Sequence, residues 1–85
     1  MIFKVELTKA AQKDLHKLRA AKLADKALRI RDLLAINPYD YGYEKLSGDL
    51  AGQYSRRINI KHRLVYEIFE DTKIIKILSM WSHYE

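Results

Sequence analysis

Residues 53–81, QYSRRINIKHRLVYEIFEDTKIIKILSMW, decide how this chain is read. Gln53–Ile60, His62–Phe69 and Lys73–Trp81 are each rich in the Ile, Val, Tyr and Phe that suit a pleated, half-buried surface. Asn59-Ile60-Lys61 and Glu70-Asp71-Thr72 separate them, so the stretch predicts a meander of two hairpins. Ile74, Ile75, Ile77 and Leu78 are apolar on both faces, which predicts a central, covered last strand. Successive strand residues point to opposite faces, so Ser55, Arg57 and Asn59 share one face and Tyr54, Arg56, Ile58 and Ile60 the other. The face with Ile58 and Ile60 is expected to meet helices, which sends Arg57 to the opposite side. Pairing across the turn brings Arg63 near Arg57 there. Like charges opposed in a sheet repel. An anion between them reverses that effect, and phosphate fits because arginine offers it two parallel N–H bonds. The alternative is that each arginine takes a surface carboxylate, with Glu67 and Glu70 available.

Upstream, Ile2–Leu7 alternates, with Phe3, Val5 and Leu7 on one side, as a half-buried strand does. Thr8 stands at an N-cap position, where its hydroxyl accepts a free N–H of the first turn. The helix after it carries Ala11, Leu15 and Leu18 on one stripe and Lys9, Lys13, Asp14 and Lys17 elsewhere, and fades around Arg19–Ala21. His16 reads as a surface histidine. A second helix spans Lys22–Ile36, with Leu23, Ala27, Ile30 and Leu34 on its stripe and Leu33 beside it. Asn37-Pro38 ends it, because proline lacks an N–H and disfavours helical geometry before it. From Asn37 to Gly52 no period is sustained, and Tyr39, Tyr41, Gly42, Tyr43 and Gly48 punctuate a loop with room for a turn of helix. Loops of this length are often functional. Its tyrosines either cap the sheet edge or stack on bases. The predicted order is β-α-α-β-β-β, an α+β fold with a curved, mainly antiparallel sheet and two helices on one face.

Eighty-five residues make one domain, 1–85, with a modest core. A net charge of +5 favours a polyanionic partner. Without cysteine, disulfides and thiolate zinc sites are excluded. No segment reads as a signal peptide or a membrane span, so a cytoplasmic protein without membrane contact is expected.

Taken in order, the Glu-Lys-Leu at Glu44–Leu46, the Ser-Gly loop, Ser-Arg-Arg-Ile at Ser55–Ile58, His-Arg-Leu-Val-Tyr at His62–Tyr66 and the terminal His83-Tyr84 resemble the RelE/YoeB toxin superfamily, in particular its YoeB/Txe-type messenger-RNA interferases. The resemblance covers essentially the whole chain. It implies a RelE-like ribonuclease fold that cuts messenger RNA in the ribosomal A site, uses no metal or cofactor, and is held by a cognate antitoxin, with a homodimer as a further expectation. It implies that Glu44 is the general base toward the ribose 2′-OH and that Arg57 and Arg63 hold the scissile phosphate. His83 would be the general acid, with Tyr84 the aromatic beside it. Lys45, Arg56 and Lys61 are the expected additional RNA contacts.

The chemistry is consistent. RNA carries its own nucleophile, so its cleavage needs a base, an acid and cations about the phosphorus. Histidine titrates nearest neutrality, and a carboxylate among cations stays ionised. Relatives often carry histidine where this chain has Gly48, which leaves the division of work between Glu44 and His83 open and makes Lys45 a substitute. Glu85 follows a His-Tyr pair that ends the chain in some relatives. His62 is expected to stabilise the turn, and Trp81 and Tyr54 to pack. The competing classes are a gyrase-poisoning toxin on a related fold and a non-catalytic RNA or ribosome binder.

Overall fold

The computed structural model describes residues 2–39, 43–45 and 52–82, with the backbone alone for Tyr43, Glu44 and Ser82. The elements are β1 (Lys4–Leu7), α1 (Lys9–Ala20), α2 (Ala24–Ile36), β2 (Tyr43–Lys45), β3 (Gln53–Arg57), β4 (Arg63–Phe69) and β5 (Ile74–Ser82). They form a five-stranded sheet in the order β1-β5-β4-β3-β2. β1 runs parallel to β5 and the other pairs are antiparallel. The expected α+β architecture holds, with β5 an interior strand.

One helical stripe each from α1 and α2 joins one face of the sheet in the core. Ala11, Leu18, Ala27 and Leu34 meet Leu64, Tyr66, Ile75, Ile77 and Met80, all with no exposed surface. Leu15, Leu23 and Ile30 pack against this cluster from its rim. Tyr66 is wholly buried, and a buried phenol needs a partner. Its hydroxyl donates to the Pro38 carbonyl at 3.4 Å, tying the end of α2 to mid-sheet.

Thr8 caps α1 as expected, its Oγ1 accepting Ala11 N–H at 3.1 Å. The same hydroxyl donates to the Leu78 carbonyl at 3.1 Å. α1 ends where Lys22 turns left-handed at φ 61°, with Leu23 N–H bonding back to Leu18 O. That conformation disfavours a side chain, and it moves the start of α2 from the expected Lys22 to Ala24.

Two further expectations change. The stretch expected as loop contains a short edge strand, β2, paired to β3 with Glu44 opposite Ser55. Three residues are too few to show a period of two, so backbone pairing alone makes this strand. The expected strand Gln53–Ile60 stops at Arg57. There Asn59 Oδ1 accepts the N–H groups of Lys61 and His62, at 2.9 and 2.7 Å, and bends the chain. Ile58 is buried, but Ile60 does not meet the helices. It sits in the turn, 92% exposed. Tyr41 and the expected turn of helix fall outside the described residues.

β5 is not a regular strand. Tyr66 pairs with Ile77, Val65 with Ser79 and Arg63 with Ser82. Three steps back along β4 thus match five along β5, so β5 carries two extra residues in two bulges.

Candidate active site

β3 and β4 end side by side on two arginines, with Arg57 directly opposite Arg63. Arg57 is exposed and Arg63 half-buried. Residues so opposed have Cβ atoms about 4.5–5.5 Å apart, and like charges placed there destabilise a sheet by up to about 1 kcal/mol. Among the described residues no carboxylate lies within ion-pair distance of Arg57. Glu70, the alternative partner, is engaged at the far end of β4. It accepts Tyr39 Oη and Lys73 Nζ, the latter at 2.9 Å. The Tyr39 hydrogen bond first, and then Lys73, hold its carboxyl below the usual glutamate range. Glu67 stands in register with Gln53 and Lys76, away from the arginines.

The next row of the same parity runs Glu44, Ser55, Val65, Ser79 across β2 to β5. Glu44 and Arg57 are therefore diagonal neighbours, about 7–8 Å apart along the sheet. Ser55 has no exposed surface, and its Oγ has no hydrogen-bond partner. An orphaned buried hydroxyl costs on the order of 1–3 kcal/mol and calls for an explanation. On the other side, Ser82 of β5 pairs with Arg63. β2 and β5 are three strand spacings apart, about 14 Å, with Arg57 and Arg63 between them.

The structure thus gathers the backbone positions of Glu44, Arg57, Arg63 and Ser82 at one end of the sheet. His83, Tyr84, Gly48 and Glu85 lie outside the described residues. Lys61 is exposed in the turn joining the two arginines. Lys45 and Arg56 are not brought together with them. Lys45 pairs with Tyr54 and Arg56 with Leu64, the parity of the helix-covered face. Arg56 is half-buried, and its Nη1 is buried without a partner. His62 is 6% exposed and stacks on Trp81, ring centroids 3.9 Å apart at 24°. Tyr54 stacks on Tyr66 at 5.8 Å. Both aromatics serve packing, as expected.

Two residues near this end went unnoticed in the sequence. Ser55 shares the parity of Arg57, and that parity was its only signal. Asp14, read as one of the polar residues around α1, accepts the Met80 N–H at 3.0 Å. A cleft of about 430 Å³ at the α1–α2 turn, lined by Arg19, Lys22, Ala24, Asp25 and Leu28, shares no residue with the arginine end.

A small mixed sheet with two helices on one of its faces is a fold that this chain shares with solved bacterial toxins. The chain superposes on a YoeB/ParE toxin from Agrobacterium tumefaciens with a TM-score of 0.86 and 26% identity, covering 96% of this chain and all of that one. The YoeB dimer from Staphylococcus aureus gives 0.82 and 31%, covering 99% of this chain and 100% of that one. The toxin–antitoxin complex RelBE2 from Mycobacterium tuberculosis gives 0.82 and 27%, over 99% and 93%. No curated protein sequence matches. Residues 20–84 match the family described as the YoeB-like toxin of bacterial type II toxin-antitoxin systems, and the chain belongs to that family. No described helix is long and apolar enough to cross a membrane.

Proposed function

We propose that this toxin is an endoribonuclease that cuts messenger RNA in the ribosomal A site and so stops translation. The observation that carries the reading is the Arg57–Arg63 opposition, with Glu44 one row away on one flank and Ser82, the residue before His83, on the other. Two arginines directly opposed across a sheet repel each other, whereas a phosphate diester between them takes two bidentate partners.

In the proposed reaction Glu44 takes the proton of the ribose 2′-OH as its oxygen attacks the adjacent phosphorus. Arg57 and Arg63 carry the negative charge that grows on the non-bridging oxygens, commonly the largest single contribution in such reactions. The bond from phosphorus to the 5′-oxygen breaks, and His83 supplies the proton that the leaving oxygen needs, with Tyr84 beside it. The products are a 2′,3′-cyclic phosphate and a 5′-hydroxyl. No step calls for a metal or cofactor. Lys61, and more remotely Lys45 and Arg56, contact the RNA backbone.

The natural inhibitor is an acidic antitoxin segment, in keeping with the net charge of +5 and with the antitoxin-bound state of the M. tuberculosis relative. A cytoplasmic single domain that forms a homodimer completes the proposal, the S. aureus relative being a dimer. Expression of the wild type without antitoxin is expected to halt translation and growth, while Arg57→Ala and His83→Ala do neither. DNA breaks with translation intact would replace this reading by gyrase poisoning.

A further inference from the structure

Continued from Tyr66–Ile77 without interruption, the β4–β5 ladder would pair Arg63 with Met80, three steps along each strand. The two extra residues bring Ser82 there instead. The bulges therefore shorten the distance from the Arg63 row to His83 from three residues to one. At about 3.3 Å per residue the bulges move the residue opposite Arg63 by roughly 7 Å along β5.

Both bulges are held by contacts that regular pairing would not need. At the first, α1's cap residue Thr8 donates its hydroxyl to the Leu78 carbonyl at 3.1 Å. At the second, Met80 and Trp81 together face the single residue Leu64. Asp14 of α1 accepts the Met80 N–H at 3.0 Å, and the Trp81 ring lies on His62, the residue before Arg63. A bulge frees an N–H from the ladder, and a carboxylate makes a charge-assisted bond to it. The stack ties the start of β4, just before Arg63, to the end of β5, just before Ser82.

We infer that Asp14 and His62 are positioning residues of the nuclease. They lock the second bulge of β5, and through it hold Ser82, the residue before the proposed acid, in register with Arg63. The inference rests on the ribonuclease reading above. His62 is buried against Trp81 and Asp14 is engaged with the Met80 N–H, so the effect of losing either is expected to fall on turnover and not on substrate binding.

The test compares Asp14→Ala with Asp14→Asn, and His62→Ala with His62→Phe, each purified from its antitoxin. The rate and KM of cleavage are measured on ribosomes programmed with a defined messenger RNA, below each variant's melting temperature. Asp14→Asn keeps an acceptor and His62→Phe keeps a flat ring, so both are expected to stay within about threefold of wild type. The alanine variants are expected to lose tenfold or more in kcat with KM unchanged. Trp81 is the single tryptophan, so its fluorescence reports the stack directly. Emission should change in Asp14→Ala as in His62→Ala, but not in Asp14→Asn. Folded alanine variants that cut at the wild-type rate overturn the inference alone, as does a rise in KM without loss of kcat. A wild type that cuts nothing overturns the ribonuclease reading and this inference with it.

Discussion

Strand β4 has two charged ends, and they are treated in opposite ways. Past Phe69, Glu70 is tied to Lys73 at 2.9 Å and to the Tyr39 hydroxyl, so its charge is answered within the fold. At the other end Arg63 stands opposite Arg57, a second cation, next to the row holding the orphaned Ser55 hydroxyl. Glu70 is met by groups of the fold itself, whereas in the proposed reaction the arginine pair meets the phosphate of an external RNA.

Substitutions at the two ends are expected to have opposite consequences for activity and stability. The largest effect is expected from Arg57→Ala. Cleavage should fall by about a hundredfold to a thousandfold, the range for losing one donor to a developing oxyanion. Its melting temperature should hold or rise, because the repulsion, on the order of 1 kcal/mol or less for an opposed pair, has gone. Arg57→Lys keeps charge without the planar fork and should recover only part of the rate. Single-turnover kinetics and calorimetry on the same samples check both halves.

Thr8→Ala should be next. It removes the cap of α1 and the hydroxyl bond to Leu78 together. The cap alone contributes about 1 kcal/mol, and for a domain of this size each kcal/mol moves the melting temperature by about 4–8 °C. Here stability falls, the reverse of the Arg57 case.

The smallest effect belongs to the neutralised end. Glu70 has a carboxyl held below its ordinary range by Tyr39 and Lys73. A lowered carboxylate contributes its stability in full above the unfolded value and loses it as pH falls through the folded one. The difference in melting temperature between wild type and Glu70→Gln should be small at neutral pH, Glu70 being solvent-exposed, and should close on acidification below the ordinary glutamate range. Cleavage should be unchanged throughout.

The helices and the hairpins were legible because their signals are local. Thr8 and Asn37-Pro38 bound the helical stripes, and β-branched runs mark β4 and β5. The opposition of Arg57 and Arg63 was legible too, since parity and one turn determine it. β2 was not, because Tyr43–Lys45 is a strand only by virtue of its bonds to β3. Ile60 was assigned to the core by extending the alternation past Arg57, where the Asn59 side chain takes over the backbone N–H groups. The bulges of β5 could not be read at all. They depend on Thr8 and Asp14, which lie 70 and 66 residues away in sequence from Leu78 and Met80.

The central claim, that the arginine end of the sheet holds a scissile phosphate, is tested most directly by mapping RNA ends. Ribosomes carrying a defined codon in the A site are incubated with wild type or Arg57→Ala, and the new 5′ ends and their chemistry are determined. The account predicts discrete cuts within the A-site codon, 5′-hydroxyl and 2′,3′-cyclic phosphate termini, and loss of both with Arg57→Ala. Salt-sensitive ribosome binding with no new ends, or cuts that survive Arg57→Ala undiminished, would contradict it.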